Sequence, residues 1–182
     1  MTVHLLEPEA ADDRQLVARL TDLINAVYAT AESGMWSDGS ARTSTDEVAG
    51  LIRGGEIAVA TREGEIVGAV RLQDVAADVA EFGMLVADPQ QRGSGIGRDL
   101  LDYAEASARE RGMRAMQLEL LVPREWSHPS KEFLRDWYGR RGYRLVRTGH
   151  LEEAYPQLAP LLATPCDFEI HHKPLTTSSP RR

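Results

Sequence analysis

Three glycines alternate at positions 93, 95 and 97, with Arg92 and Arg98 on either side and an apolar run at helical spacing directly after them. Glycine weakens helices, so three at a helix entrance serve either a backbone turn or a close approach by something else. The first turn of a helix carries unpaired N–H groups and the positive end of the helix dipole. An anion seated there is bound by backbone donors. Glycines admit unusual backbone angles and remove the β-carbons that would hold a phosphate away. Two arginines add charge at the rim. The run Arg92, Gly93, Ser94, Gly95, Ile96, Gly97, Arg98 therefore reads as a phosphate or pyrophosphate cradle. Its spacing is G-x-G-x-G, not the dinucleotide G-x-G-x-x-G, and no G-x-x-x-x-G-K-[ST] is present. A tight turn without a ligand is the competing explanation, but three glycines and two arginines exceed what a turn needs.

Other reactive side chains narrow the choice. Cys166 is the only cysteine, which excludes a disulfide framework and a cysteine zinc site and points to a reducing cytoplasm. His171 and His172 invite a metal, but neighbours on a strand face opposite ways, so no metal is expected. The net charge of −7 argues against a general nucleic-acid surface. No apolar run approaches the ~20 residues that span a bilayer, and the N-terminus lacks the basic and apolar regions of a secretory signal. The expectation is a cytoplasmic protein with no nucleic-acid and no membrane partner.

The elements that must position the glycine run can be read from periodicity. In 182 residues, 42% hydrophobic and 27% charged, there is one domain's worth of core. Residues 1–175 are expected to form it, and 176–182 a disordered tail. Val3 to Glu7 reads as a strand, and Leu16, Val17, Leu20, Ile24 and Val27 as a helix face. Ser44 or Thr45 opens a second helix that Gly54-Gly55 stops. Ile57 to Thr61 and Ile66 to Leu72 form a hairpin turned at Arg62-Glu63-Gly64. "VAEFGMLVAD" is a strand leading into the glycine run and its helix, which Gly112 closes. "AMQLELLV" is the next strand. Ser130 is expected to cap a helix with Phe133, Leu134, Trp137 and Tyr138 on its apolar face. Strands at 143–147 and "CDFEIHH" follow, with a short helical turn in the connection between them. This order predicts an α/β layered domain of α+β character, partly antiparallel.

Two segments carry a resemblance. "MLVADPQQRGSGIGRDLL" and, later, "DWYGRRGYRLV" resemble the two marks of the GNAT superfamily of acetyl-CoA-dependent N-acetyltransferases, in the right order. The resemblance spans nearly the whole chain. It implies a central mixed, mostly antiparallel sheet of about seven strands flanked by about four helices. It implies acetyl-CoA as cosubstrate, with the pyrophosphate on the backbone from Gly93 to Arg98 and the pantetheine arm beside Leu85 and Val86. The strand carrying those two residues is expected to hold a bulge and to splay from the next. A primary amine of a small molecule or protein would be acetylated by direct attack through a tetrahedral intermediate. A non-catalytic acyl-CoA-binding module is the alternative. A homodimer is common in such families.

The remaining assignments follow from the same resemblance and from what acyl transfer needs. Tyr138 matches the family tyrosine that donates to the departing sulfur, and it is also a candidate core aromatic. Backbone N–H of Leu85 or Val86 is the expected donor to the thioester oxygen. Glu81 is the candidate general base, acting through water, on a face expected to include Gly83 and Leu85; Glu119 is the substitute. Lys131 stands where many members have Asn, and is expected either to bind cofactor phosphate or to be an exposed helix lysine. Trp36, with Glu32 and Asp38 nearby, either holds the amine or anchors its loop. Glu152, Glu153 and Tyr155 are further acceptor candidates, and His128 beside Trp126 is read as structural.

Overall fold

The computed structural model describes residues 1–175; the tail expected at 176–182 lies outside them. Among the described residues seven strands form one sheet, and five α-helices accompany it. The order of elements follows the sequence reading, with added 3-10 turns at Pro8–Asp12, Pro89–Gln91 and Ala159–Leu161. The chain divides into two compact units.

Of the described residues, the first unit holds Met1–Val27, Arg42–Met116 and residues 174–175. Its strands β1 (Thr2–Leu5), β2 (Ile57–Arg62), β3 (Glu65–Ala76) and β4 (Val79–Ala87) are consecutive antiparallel neighbours. Glu63 and Gly64 make the β2–β3 turn at φ 54° and 86°, the left-handed pair that a two-residue hairpin loop requires. Helix α1 (Arg14–Ala31) buries Val17, Leu20 and Ile24. Helix α2 (Thr45–Arg53) is capped as expected, the Ser44 hydroxyl accepting from Glu47 N–H. Helix α3 (Ile96–Glu110) buries Ile96, Leu100, Leu101, Ala104 and Ala108. Full burial of Leu100 and Leu101 is worth about 1.5–3 kcal/mol each.

The second unit holds Tyr28–Ala41 and Gln117–Lys173. It contains most of β5 (Ala115–Pro123), helix α4 (Pro129–Arg140), β6 (Arg144–Gly149), the one-turn α5 (Leu151–Ala154) and most of β7 (Cys166–Pro174). Strand β7 lies between β5 and β6 and is antiparallel to β6. Met35, Leu121, Leu151, Cys166, Phe168 and Ile170 form its core, with Trp36 and Tyr155 packed against them. Cys166, Phe168 and Ile170 share the buried face that alternation predicts.

Two local expectations change. The cap of α4 is His128, not Ser130: its Nδ1 accepts from Ser130 N–H, and Pro129 takes the first helical position. Phe133 is 58% exposed, so the buried residues of α4 are Lys131 and Tyr138. Among the described residues no helix is long and apolar enough to cross a membrane.

Candidate active site

The site's chemistry begins at a fault in β4. Its register with β3 passes from Arg71 opposite Gly83 to Ala69 opposite Val86. Met84 and Leu85 together therefore face one residue, Val70. Met84 sits at φ 47°, a left-handed angle that costs a bulky residue of order 1–3 kcal/mol. This is a β-bulge, and it takes backbone groups out of the regular ladder. It also shifts the side-chain parity. Glu81 lies opposite Gln73 and Gly83 opposite Arg71, and the next residue in that row is Val86. The face expected to run Glu81, Gly83, Leu85 thus continues through Val86, because strict alternation does not survive a bulge.

Strand β4 ends at Ala87. Asp88 caps a single 3-10 turn by accepting from Gln90 N–H, and Arg92 leaves it in an extended conformation. Gly93 and Gly95 then adopt φ 80° and 85°, which L side chains avoid. Gly95 is the N-cap of α3 and offers no side-chain acceptor to the first turn. Asp99 N–H bonds Gly95 C=O, so the N–H groups of Ile96, Gly97 and Arg98 lie ahead of that first helical bond. A β-carbon at Gly93 or Gly97 would meet nothing within 4 Å, so the approach to these donors is open. The Arg98 guanidinium folds over Gly95, its Nη2 standing 3.0 Å from where a β-carbon would be, and its Nε donates to Asp99 at 3.0 Å. A 15-residue helix with a bare, glycine-built N-terminus and an arginine above it suits a diphosphate.

Gly68 on β3 seats that helix, and the sequence alone gave no sign of it. A β-carbon there would stand 2.6 Å from Ile96 Cγ2 and 2.8 Å from the Val86 carbonyl oxygen. Only glycine lets the first residue of α3 lie so close to β3.

Glu81 is buried at 4% exposure and belongs to a chain of polar contacts. Gln73 Nε2 donates to Glu81 Oε1 at 2.6 Å, and Arg71 Nη2 donates to Gln73 Oε1 at 2.8 Å. Arg71 Nε donates to Glu56 Oε2 at 2.7 Å. Sequence reasoning missed Arg71 and Gln73. The short β3–β4 hairpin was the available signal, because it pairs position 73 with 81.

In the second unit Tyr138 is buried, with its ring edge-on to Tyr143 at 5.9 Å between centroids. Burial, aided by neighbouring Tyr28, raises the phenol's pKa far above its ordinary value. The hydroxyl therefore keeps its proton throughout the range in which proteins are assayed. Lys131 is not an exposed helix lysine. Its Nζ donates to Glu32 Oε1 at 2.5 Å, and Trp36 Nε1 donates to the other oxygen of Glu32 at 2.6 Å. Trp36 also bridges Leu162 through its backbone and packs on the core, which is the anchoring alternative. Glu32 is thus occupied by the chain's own groups. Glu119 accepts from the Tyr155 hydroxyl at 2.7 Å. His171 Nε2 contacts Glu169 and His172 Nε2 contacts Gln117, so the two imidazoles serve different partners. Among the described residues no three His, Cys, Asp or Glu gather as metal ligands.

Bulged strand, glycine turn and helix N-terminus occur here in one continuous segment. The Acetyltransferase (GNAT) domain model matches residues 53–145, just over half of the chain and inclusive of that segment. This chain belongs to the GNAT acetyltransferase family. The aminoalkylphosphonate N-acetyltransferase of Salmonella typhimurium LT2 is 32% identical to this GNAT chain over 94 residues. That match takes in 49% of this chain and 60% of the relative, so less than two thirds of the relative is spanned. Among solved structures, an aminoglycoside 6'-N-acetyltransferase complexed with coenzyme A aligns with a TM-score of 0.72. The alignment covers 100% of this chain and 99% of that one at 15% identity. The ribosomal-protein-S18-alanine N-acetyltransferase of Escherichia coli aligns at 0.65, covering 100% and 97% at 17% identity. Likenesses at this identity show that the GNAT fold is shared.

Proposed function

We propose that this GNAT chain transfers the acetyl group of acetyl-CoA to a primary amine. The carrying observation is the bulge at Met84 followed by the Gly95-capped N-terminus of α3. In this reading the N–H groups between Gly93 and Arg98 hold the pyrophosphate, except that of Ser94, which donates to Gln91 C=O at 3.2 Å, with Arg92 and Arg98 at the rim. The backbone of Leu85 and Val86 meets the pantetheine arm and the thioester oxygen. Acetyl-CoA, once bound, supplies an acyl group on a good leaving sulfur.

The chain's own residues supply the rest. Holding both reactants in one geometry converts an encounter of two molecules into an intramolecular one, a large part of the acceleration. N–H donors placed at the developing oxyanion stabilise the tetrahedral intermediate. Glu81 takes a proton from the incoming amine through water. The amine nitrogen bonds the acetyl carbon, and the carbon–sulfur bond breaks. The Tyr138 phenol, kept neutral by burial, donates toward the departing sulfur. The proton lost by the amine is balanced by the one gained at sulfur, and free CoA leaves as the thiol.

The acceptor class follows from the relatives, which by name act on an aminoalkylphosphonate, an aminoglycoside and a ribosomal-protein alanine. The test is thiol release from acetyl-CoA, with product mass, across 2-aminoethylphosphonate, kanamycin and an alanine-initiated peptide. Turnover with at least one supports the reading. CoA binding without turnover on any would favour the non-catalytic module. Tyr138→Phe is expected to lower kcat about 10²-fold with packing retained; unchanged kcat would remove its role.

A further inference from the structure

We propose that Gln73 positions the Glu81 carboxylate for proton removal, and that Arg71 sets which end of the Gln73 amide faces it. The inference rests on the reading of Glu81 as general base.

The register of β3 and β4 places Gln73 directly opposite Glu81 and Arg71 directly opposite Gly83. All four belong to one face. Guanidinium has only donors, so the end of Gln73 that faces Arg71 must be its carbonyl oxygen. The amide NH₂ is then left for Glu81, at 2.6 Å. Reversing the amide would set oxygen against carboxylate and NH₂ against guanidinium, two repulsive contacts at once. Arg71 therefore locks the orientation.

The Arg71 guanidinium pairs with the Glu56 carboxylate at 2.7 Å. What Gln73 presents to Glu81 is a neutral donor. A neutral hydrogen bond of this kind holds the rotamer of a carboxylate without placing a second charge beside it. Gly83, next along the same face, leaves open space: a β-carbon there would meet nothing within 4 Å. A water or amine has room beside the oriented carboxylate. Gln73 and Arg71 are positioning residues here, not catalytic ones.

The test uses the full chain with Gln73→Met, which keeps the volume and removes the donor, and Arg71→Met, Arg71→Lys and Glu81→Gln. Carboxyl ¹³C-glutamate labelling follows the Glu81 carboxyl signal directly, its assignment made by loss in Glu81→Gln, with no acceptor needed. Removing the amide donor displaces that signal in Gln73→Met and Arg71→Met. Arg71→Lys still donates to the amide oxygen and keeps the wild-type signal position. With the panel amine that turns over fastest, Gln73→Met lowers kcat about 5–20-fold, with KM for acetyl-CoA changed less than about twofold. An unmoved signal and an unchanged kcat in folded Gln73→Met overturn the inference. Full activity in Glu81→Gln overturns the general-base reading instead, even where the signal moves as expected. Loss of activity in Glu81→Gln with wild-type behaviour in Gln73→Met overturns the positioning role alone.

Discussion

Lys131 Nζ lies 2.5 Å from Glu32 Oε1, with the two side chains only 4% and 8% exposed. Trp36 holds the second oxygen of the same carboxylate. A buried ammonium already matched by a carboxylate is a poor ligand for cofactor phosphate, and its role is better stated as a clamp on the loop that begins at Glu32. Removing one partner of such a pair strands the other, so Lys131→Met should cost about 3 kcal/mol or more in urea unfolding. Replacing both, as in Lys131→Met with Glu32→Leu, should recover much of that. CoA affinity of the folded single variant should change less than about threefold. A tenfold loss, about 1.4 kcal/mol, in an otherwise stable variant would restore Lys131 as a phosphate contact.

The glycines divide by mechanism, and two substitutions separate them. Gly95→Ala places an L residue at φ 85°, at a cost of about 1–2 kcal/mol, while the Arg98 side chain that it would touch can swing aside. Gly68→Ala has no such strain, but its β-carbon would overlap Ile96 and the Val86 carbonyl. Overpacking against backbone should cost about 1–3 kcal/mol and displace the start of α3. Both variants should bind CoA more weakly in calorimetry. Gly50→Ala, exposed on α2 with open space around it, is the control and should change neither stability nor binding adversely.

What the sequence made legible follows the range of its signals. Local rules worked where neighbours in sequence decide the structure. Ser44 caps α2, Gly64 turns a hairpin, and the apolar face of α3 falls on the expected residues. His128 was missed as a cap because Ser130 is the commoner capping type, although Pro129 marked the first helical position. The bulge was legible only through the family resemblance, and its effect on parity was not. Nothing in the pattern Glu81, Gly83, Leu85 announces that Met84 adopts φ 47° and hands the row to Val86. Contacts distant in sequence were the least legible. Glu32 and Lys131 are 99 residues apart, and each alone reads as a solvated charge.

Cys166 should be inert in the folded protein. Burial pushes its thiol up to about 11, and the nearby Glu32 carboxylate adds to the effect. At pH 8 the reactive thiolate is then on the order of a thousandth of the population, with solvent access restricted as well. Dithiobis-nitrobenzoate should modify it at least about 10²-fold more slowly in buffer than in 6 M guanidinium. Rapid stoichiometric labelling of the native protein would contradict the packing of Cys166 in the core of the second unit.

Glu169 gives the acid dependence of stability. Burial alone would raise its pKa, but hydrogen bonds from His171 and from Arg135 outweigh it and draw the carboxyl down to about 2. Arg135 approaches both oxygens of Glu169, while His171 Nε2 is 2.9 Å away. A folded-state value below the unfolded one means that the folded protein favours the ionised form. The contribution is complete above the ordinary glutamate range near 4.5 and is lost as pH falls from there to about 2. Arg135 is 35% exposed, so solvent screens part of the pair, and roughly 2 kcal/mol is the expected size. Urea unfolding at pH 6, 4 and 3 should show wild type losing more stability than Glu169→Gln, with the two curves converging toward the acid end. Parallel curves across that window would show that the pair contributes nothing that depends on the charge of Glu169.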